Sequence, residues 1–249
     1  MIELDIIHLL IFFFIVVMQT IVGVGVLVLG TPFLLILQYE IVEVISILLP
    51  ISIFTSLNNL LYFKFIDKIS LLSLGGQIKK SFFIICLPAI FLGIVLLKNY
   101  HDVINFKILV SVIIFLTLAV KKYYKKNIFK LSSLKKNITL FFIGLVHGAS
   151  NSGGTLLSIF MLHINKNFKD LIRYNLTYFY FYLALFQYLV FIIIFQKILI
   201  LSSLTNLIFV VLAGTLFGNF LVKYIKNKKF NFLIEFLAIF SAIFLIIDN

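Results

Sequence analysis

Charged residues make up only 12% of this 249-residue chain, tryptophan is missing altogether, and there are three prolines and one cysteine. Soluble domains are usually about 25% charged and roughly 45 to 50% apolar. Here 63% of the residues are apolar, so a water-soluble fold is excluded. Cys86 stands alone in the apolar stretch from Phe82 to Leu97, which excludes disulfides and cysteine-based metal sites. Enzymatic constellations are lacking as well. There is no paired intramembrane carboxylate, no His-Glu-x-x-His, no Gly-x-Ser-x-Gly and no Walker loop. The chain is therefore not read as an enzyme, no cofactor is expected, and ATP-driven work would need a separate subunit. A channel would call for a ring of charged side chains or a filter signature, and neither is evident.

What the sequence has in abundance is long apolar runs, over 6–37, 41–63, 81–97, 103–120, 138–162, 171–195, 198–222 and 230–247. A bilayer core of about 30 Å takes about 20 such residues to cross as a helix, so the fold class is an all-α polytopic membrane protein. The first residues carry Glu3 and Asp5 rather than a basic stretch, and the run that follows is too long for a signal-peptide core. The segment is expected to stay in the mature protein.

The runs are not equal. As one helix the first would reach about 48 Å, far beyond the hydrocarbon core. It is interrupted by Gly23 and Gly25 and then by Gly30, Thr31 and Pro32, residues that weaken or break helices. The fifth run is interrupted in the same manner by Gly148, Asn151, Ser152, Gly153, Gly154 and Thr155. Setting Gly25 on Gly154, an offset of 129, puts Gln19 on Gly148 and Gly23 on Ser152, and carries the second run onto the sixth and the fourth onto the eighth. This pattern predicts an internal duplication. The first repeat is 1–120, a basic linker follows at 121–136, and the second repeat is 137–249. Each repeat is one broken segment followed by three continuous helices.

The placement of basic residues decides the topology, because cytoplasmic loops retain them. If each broken segment crossed once, the 21 Lys and Arg would divide 12 against 9 between the two sides. If each enters and returns, 18 of the 21 fall on one side, in the loops 64–80, 121–136, 163–173 and 223–229. The second arrangement is favoured. It leaves three crossings per repeat, an odd number, so the repeats are inverted and both termini lie outside. The net charge of +12 thus reports topology, and no nucleic acid partner is expected.

Non-helical backbone at membrane depth is tolerated only where protein buries it or a wet cavity is lined by it. Helix restarts after Gly25 and Gly154 would present N–H groups and the positive end of the helix dipole to an anion. Around them stand Gln19, Thr31, His147, Asn151, Ser152 and Thr155, neutral donors suited to an oxyanion. The competing reading is that the small residues only allow close helix packing. In the second run Ser52, Thr55, Ser56 and Asn59 share one helix face, and in the sixth Asn175, Tyr178 and Tyr182 share another. These stripes line a pathway or glue helices together. His147 is read as a proton or anion contact, or as a neutral bonded imidazole. Arg173 and Glu235, close to the ends of their runs, are read as snorkelling to the interface.

At the two interruptions the sequence resembles the sulfite exporter TauE/SafE family of bacterial permeases. The stretch from Gln19 to Pro32 is similar to the first family motif, a Gln-led Gly-x-Gly followed by small and aliphatic residues and a proline. Gly144 to Gly148 with Gly153 and Gly154 is similar to the second. The first motif has fewer glycines than is common in the family, and Met161 stands where the duplication would put the second proline. The resemblance implies a multi-pass protein of the bacterial inner membrane that moves sulfite, an organosulfonate or a related sulfur oxyanion. The expected partners are a small anion and the lipid bilayer, with a homo-oligomer left open. The alternatives are a scaffold or assembly factor that transports nothing, and a permease for another small anion such as a carboxylate.

Overall fold

The computed structural model describes residues 5–67, 76–105, 132–164, 169–196 and 204–226, and separate positions between 108 and 119 and between 229 and 246. All regular structure among them is helical. The long first run is two helices, α1 (Ile6–Val22) and α2 (Val26–Ile36), parted at Gly23 to Gly25. Next come α3 (Ile41–Phe65), α4 (Gly76–Ser81), a π-helical turn at Phe82–Cys86, and α5 (Leu87–Tyr100). The fifth run is again two helices, α6 (Ser133–Ser150) and α7 (Gly153–Ile164), followed by α8 (Lys169–Phe195) and α9 (Leu204–Val222). The described positions within 108–119 and 229–246 are helical too, and Ser111 Oγ donates to Ala242 O across them at 3.1 Å.

Local chemistry accounts for these ends. Asp5 caps α1 by accepting from His8 N at 3.0 Å, and Glu40 and Glu43 form a reciprocal capping box at the start of α3. Ser132 caps α6 by accepting from Lys135 N. That cap starts the helix inside the stretch read as a linker, so Lys135 and Lys136 belong to the first turn of α6 and not to a loop. The remainder of that basic stretch, 121–131, lies outside the described residues, as does Glu235. The run read as 81–97 is longer at both ends and carries a π turn. Pro88 explains the turn: without an N–H, and with its ring against the preceding turn, it displaces the ladder so that Leu87 N donates to Phe82 O.

Three described segments are long and apolar enough to cross a membrane, Ile41–Phe65, Ile78–Tyr100 and Lys169–Phe195. Their outer faces expose Phe54, Leu61, Phe91, Leu92, Leu189 and Ile193, a surface that only hydrocarbon would solvate without cost. The inner faces pair closely. α5 lies along α6, α1 along α9, and α3 along α8. A Cβ added at Gly93 would overlap Leu145 O, one at Gly144 would overlap Cys86 O and one at Gly148 would overlap Ile90 O, so α5 and α6 meet backbone to backbone. Gly214 and Gly218 of α9 receive Val16 and Thr20 of α1 with the same economy of space. Small residues at such notches let dispersion contacts hold helices together where no hydrophobic effect operates.

Candidate functional site

Both interruptions are built by the same device. Gly23 takes a left-handed conformation, φ 92°, and its N–H donates to Gln19 O at 2.7 Å. Asn151 takes one at φ 61°, and its N–H donates to His147 O at 2.9 Å. Glycine adopts such angles freely, and asparagine is among the few other residues that do. Matching the caps pairs Gln19 with His147 and Gly23 with Asn151. That pairing stands one residue from the register read from the sequence, and the first connection is a residue longer than the second.

Around the first interruption every polar group of Gln19 is engaged. Its Nε2 donates to Ser52 O at 3.2 Å and to Ser56 Oγ at 3.0 Å, and its Oε1 accepts from Val26 N at 2.9 Å and from Ser52 Oγ at 3.5 Å. The first N–H of α2, expected to be open to an anion, is therefore taken by a side chain of the preceding helix. A Cβ on Gly25 would strike the backbone of Gln19, so only glycine lets the chain fold back over it. One turn along, Asn59 Nδ2 donates to Thr20 Oγ1 at 3.1 Å, and Asn219 Nδ2 donates to Asn59 Oδ1 at 3.0 Å. Thr55 Oγ1 bonds to its own helix at Ile51 O. The stripe from Ser52 to Asn59 is buried against the end of α1.

Arg173 completes this network, and it does not snorkel. It is buried at 2% exposure, its Nε donates to Thr20 O at 2.8 Å, its Nη2 donates to Asn219 Oδ1, and its guanidinium lies 4.6 Å from the Phe63 ring centre. Among the described residues no carboxylate comes within ion-pair distance of it. Asp67, just beyond α3, and Asp170 act on it through their fields. Burial pushes the Asp67 carboxyl above its ordinary range, and the field of Arg173 draws it part of the way back. Burying a charge among neutral acceptors is costly.

The second interruption is the opposite case. His147, Asn151, Thr155, Tyr180 and Gln187 are all buried, yet His147 Nδ1 and Nε2, Asn151 Oδ1, Thr155 Oγ1, Tyr180 Oη and Gln187 Oε1 meet no hydrogen-bond partner. These side chains form one neighbourhood. The Tyr180 ring centre is 5.9 Å from that of His147, and a Cβ on Gly154 would lie 2.6 Å from Tyr180 Cε2. Gln187 Nε2 donates to His147 O at 3.1 Å. Asn151 Nδ2 donates to Thr31 Oγ1 of α2 at 3.4 Å, tying the second interruption to the helix that follows the first. Val28 of α2 closes the same space, its Cγ2 3.0 Å from where a Cβ on Gly154 would stand. Ser152 Oγ, by contrast, is spent on Ser150 O at 3.0 Å. Pro32 sits within α2, and Gly148 and Gly153 serve packing, against Ile90 and His147 respectively.

Buried polar groups are almost always paired, with protein or with bound water, and each orphan costs about 1 to 3 kcal/mol. Five side chains with that deficit stand around the second interruption. Of the sixth-run residues read from the sequence, Asn175 is buried elsewhere on α8, and Tyr178 is half-buried among Tyr174, Tyr182 and Lys79. Tyr180, Gln187 and Arg173 take the central places instead. A signal for them existed: Arg173, Thr177, Tyr180 and Gln187 recur at helical spacing along one face. Among the described residues no group of His, Cys, Asp and Glu comes together that could hold a metal.

Compared with known proteins, residues 8–245 match the family model described as Sulfite exporter TauE/SafE. No curated protein and no solved structure matches the chain.

Proposed function

The chain belongs to the sulfite exporter TauE/SafE family, a family of membrane transporters of sulfur anions and not of enzymes, and from that premise we propose a specific reading. It is a secondary permease that moves sulfite, an organosulfonate or a related sulfur oxyanion across the bacterial inner membrane by alternating access. An ion gradient or the membrane potential drives it. The anion is held at the second interruption by His147, Asn151, Thr155 and Tyr180, close to the N-terminus of α7, with α2 and Thr31 opposite. The observation that carries this reading is the cluster of buried polar atoms without partners at that place and not at the first interruption.

The inverted-repeat plan, with both termini outside and each broken segment re-entrant, belongs to the same proposal. It is supported by the division of basic residues and by the exchange of partners: α1 with α9 and α6 with α5 are the contacts a duplication would relate. In this plan Gln19, Gly23 and Gly25 shape the floor of the site, and Ser52, Ser56 and Asn59 brace it. A reporter enzyme active only in the periplasm, fused after Asn249, is expected to be active. Activity only of a cytoplasmic reporter would refute the re-entrant topology.

The direct test is flux into proteoliposomes of sulfite, thiosulfate, sulfoacetate and simple carboxylates, with and without a pH gradient. Sulfur oxyanions are expected to move, and Asn151→Leu should slow them at least about tenfold, the equivalent of ~1.4 kcal/mol in the barrier. Unchanged flux in correctly inserted Asn151→Leu would mean that the interruptions only pack helices, as in a scaffold or assembly factor.

A further inference from the structure

The unpartnered atoms at the second interruption are of two kinds, and the difference bears on what fits among them. Thr155 and Tyr180 bring hydroxyls that can donate, and a neutral His147 brings one N–H. Gln187 Oε1 can only accept. Its orientation is fixed by chemistry, because the His147 carbonyl accepts and so must face the amide nitrogen at 3.1 Å, which turns the oxygen away from that bond. The second ring nitrogen of a neutral His147 is likewise an acceptor. An anion whose oxygens all accept would satisfy the donors but leave Asn151 Oδ1, Gln187 Oε1 and one imidazole nitrogen orphaned beside negative charge.

Resting on the permease reading above, we propose that the guest is an oxyanion that carries a proton of its own, singly charged, of the hydrogen sulfite kind. Its O–H donates to Gln187 Oε1 or to the acceptor nitrogen of His147, while its remaining oxygens accept from Thr155, Tyr180 and the imidazole N–H. A single negative charge also suits a cluster of unpartnered atoms to which, among the described residues, no cationic side chain contributes. Few other groups near it titrate. α6 contributes His147 and α8 contributes Tyr180. The π turn brings Cys86, whose carbonyl meets Gly144 one turn before His147. α2 and α7 bring no titratable group among their described side chains. Arg173 faces the first interruption, and Lys98 of α5 is bonded to Ile194 O, two turns beyond Gln187. Gln187 is thus a residue that sets which protonation state is accepted.

The experiment uses the full chain in proteoliposomes, with protein-free vesicles subtracted, and a fixed, subsaturating total of labelled sulfite. Uptake is expected to follow hydrogen sulfite, falling about tenfold for each pH unit above the second ionisation of the anion. Methanesulfonate, which carries one negative charge and no proton to give, should compete at least about tenfold more weakly than isethionate, a sulfonate with a hydroxyl. Gln187→Met should narrow that gap to within about threefold. Uptake that is flat or rises as the dianion takes over overturns the proposal, as does equal competition by the two sulfonates. Competition by methanesulfonate with the same pH profile also overturns it, since that would trace the profile to His147. Should Gln187→Met fail to fold, the two wild-type measurements decide alone. If none of these anions moves or competes, the permease reading fails and this inference falls with it. If they move without regard to a donated proton, only this inference falls.

Discussion

Replacing Gln19 with leucine should damage the fold, while replacing its counterpart His147 with leucine should not, although both residues end the first half of a broken segment. The magnitudes follow from their partners. Leucine at 19 leaves Val26 N–H without an acceptor, which costs about 1 to 3 kcal/mol in the interior. Ser52 and Ser56 can turn their hydroxyls back to their own helix, as Thr55 does with Ile51 O at 2.7 Å. Their bonds to Gln19 then count for only about 0.6 kcal/mol each, the average for interhelical bonds in membranes. The sum is about 2 to 4 kcal/mol, and at about 2 to 4 °C per kcal/mol for a chain of this size the midpoint should fall by about 4 to 16 °C. Leucine at 147 removes two ring nitrogens that have no partner, so stability should hold or rise by about 1 to 2 kcal/mol while sulfite uptake is lost. Cys86 supplies the assay. It is the only cysteine and is fully buried, so a thiol-reactive fluorogenic dye reports unfolding in detergent without further labelling. Equal losses of midpoint in the two variants would refute the reasoning, because they would mean that the protein itself satisfies the His147 ring.

Three further outcomes follow from the same geometry. Asn219→Leu strips the Arg173 guanidinium of its Nη2 acceptor and Asn59 of a donor; it should cost about 2 to 4 kcal/mol, read with the same dye. Gly148→Leu drives a side chain into the Ile90 carbonyl, and should lose at least about 1 to 3 kcal/mol and most of the monodisperse protein on size exclusion. Asp5→Ala should fray the first turn of α1, seen as faster amide exchange at His8 and Leu9. The Asp5 carboxyl is held below its usual range first by the His8 N–H it accepts from and then by the His8 ring. Its support is therefore present above the unfolded carboxylate value and is lost as pH falls through the lowered folded one. Wild type should come to match the variant in protection only once the pH has fallen below that lowered folded value, under the ordinary carboxylate range.

Much of this architecture could be read before any coordinates, because its punctuation is covalent. Gly23 and Gly25 interrupt an apolar run too long to be one helix, and Asn151 and Ser152 do the same, whereas Gly30, Thr31 and Pro32, read as a further interruption, lie inside the continuous α2. What escaped was whatever depends on the rotation of a helix about its axis. Tyr178 and Tyr180 are equally aromatic and two positions apart, yet one faces Lys79 and the other the interruptions. Only the neighbours of α8 decide which. Arg173 misled for a related reason. Its position near the end of an apolar run suits a side chain reaching for the interface, and its true partners, Thr20 O and Asn219, are brought to it from distant parts of the sequence. The free N–H expected at the start of α2 failed because a glutamine seven residues earlier can fold back across a glycine, a contact that sequence spacing permits but does not announce.

The glycine notches have a consequence for how the molecule is made. α1 is synthesised first, but its closest partner, α9, arrives only when most of the chain has been translated, and α5 must likewise wait for α6. Contacts so distant along the chain are slow to form, so early spans must reside in the bilayer with their notches open until the later ones enter. A nascent chain released after Tyr100 would contain neither of these tight pairs. Made as two polypeptides, residues 1–120 and 121–249 should therefore regain uptake only when both are inserted into the same membrane.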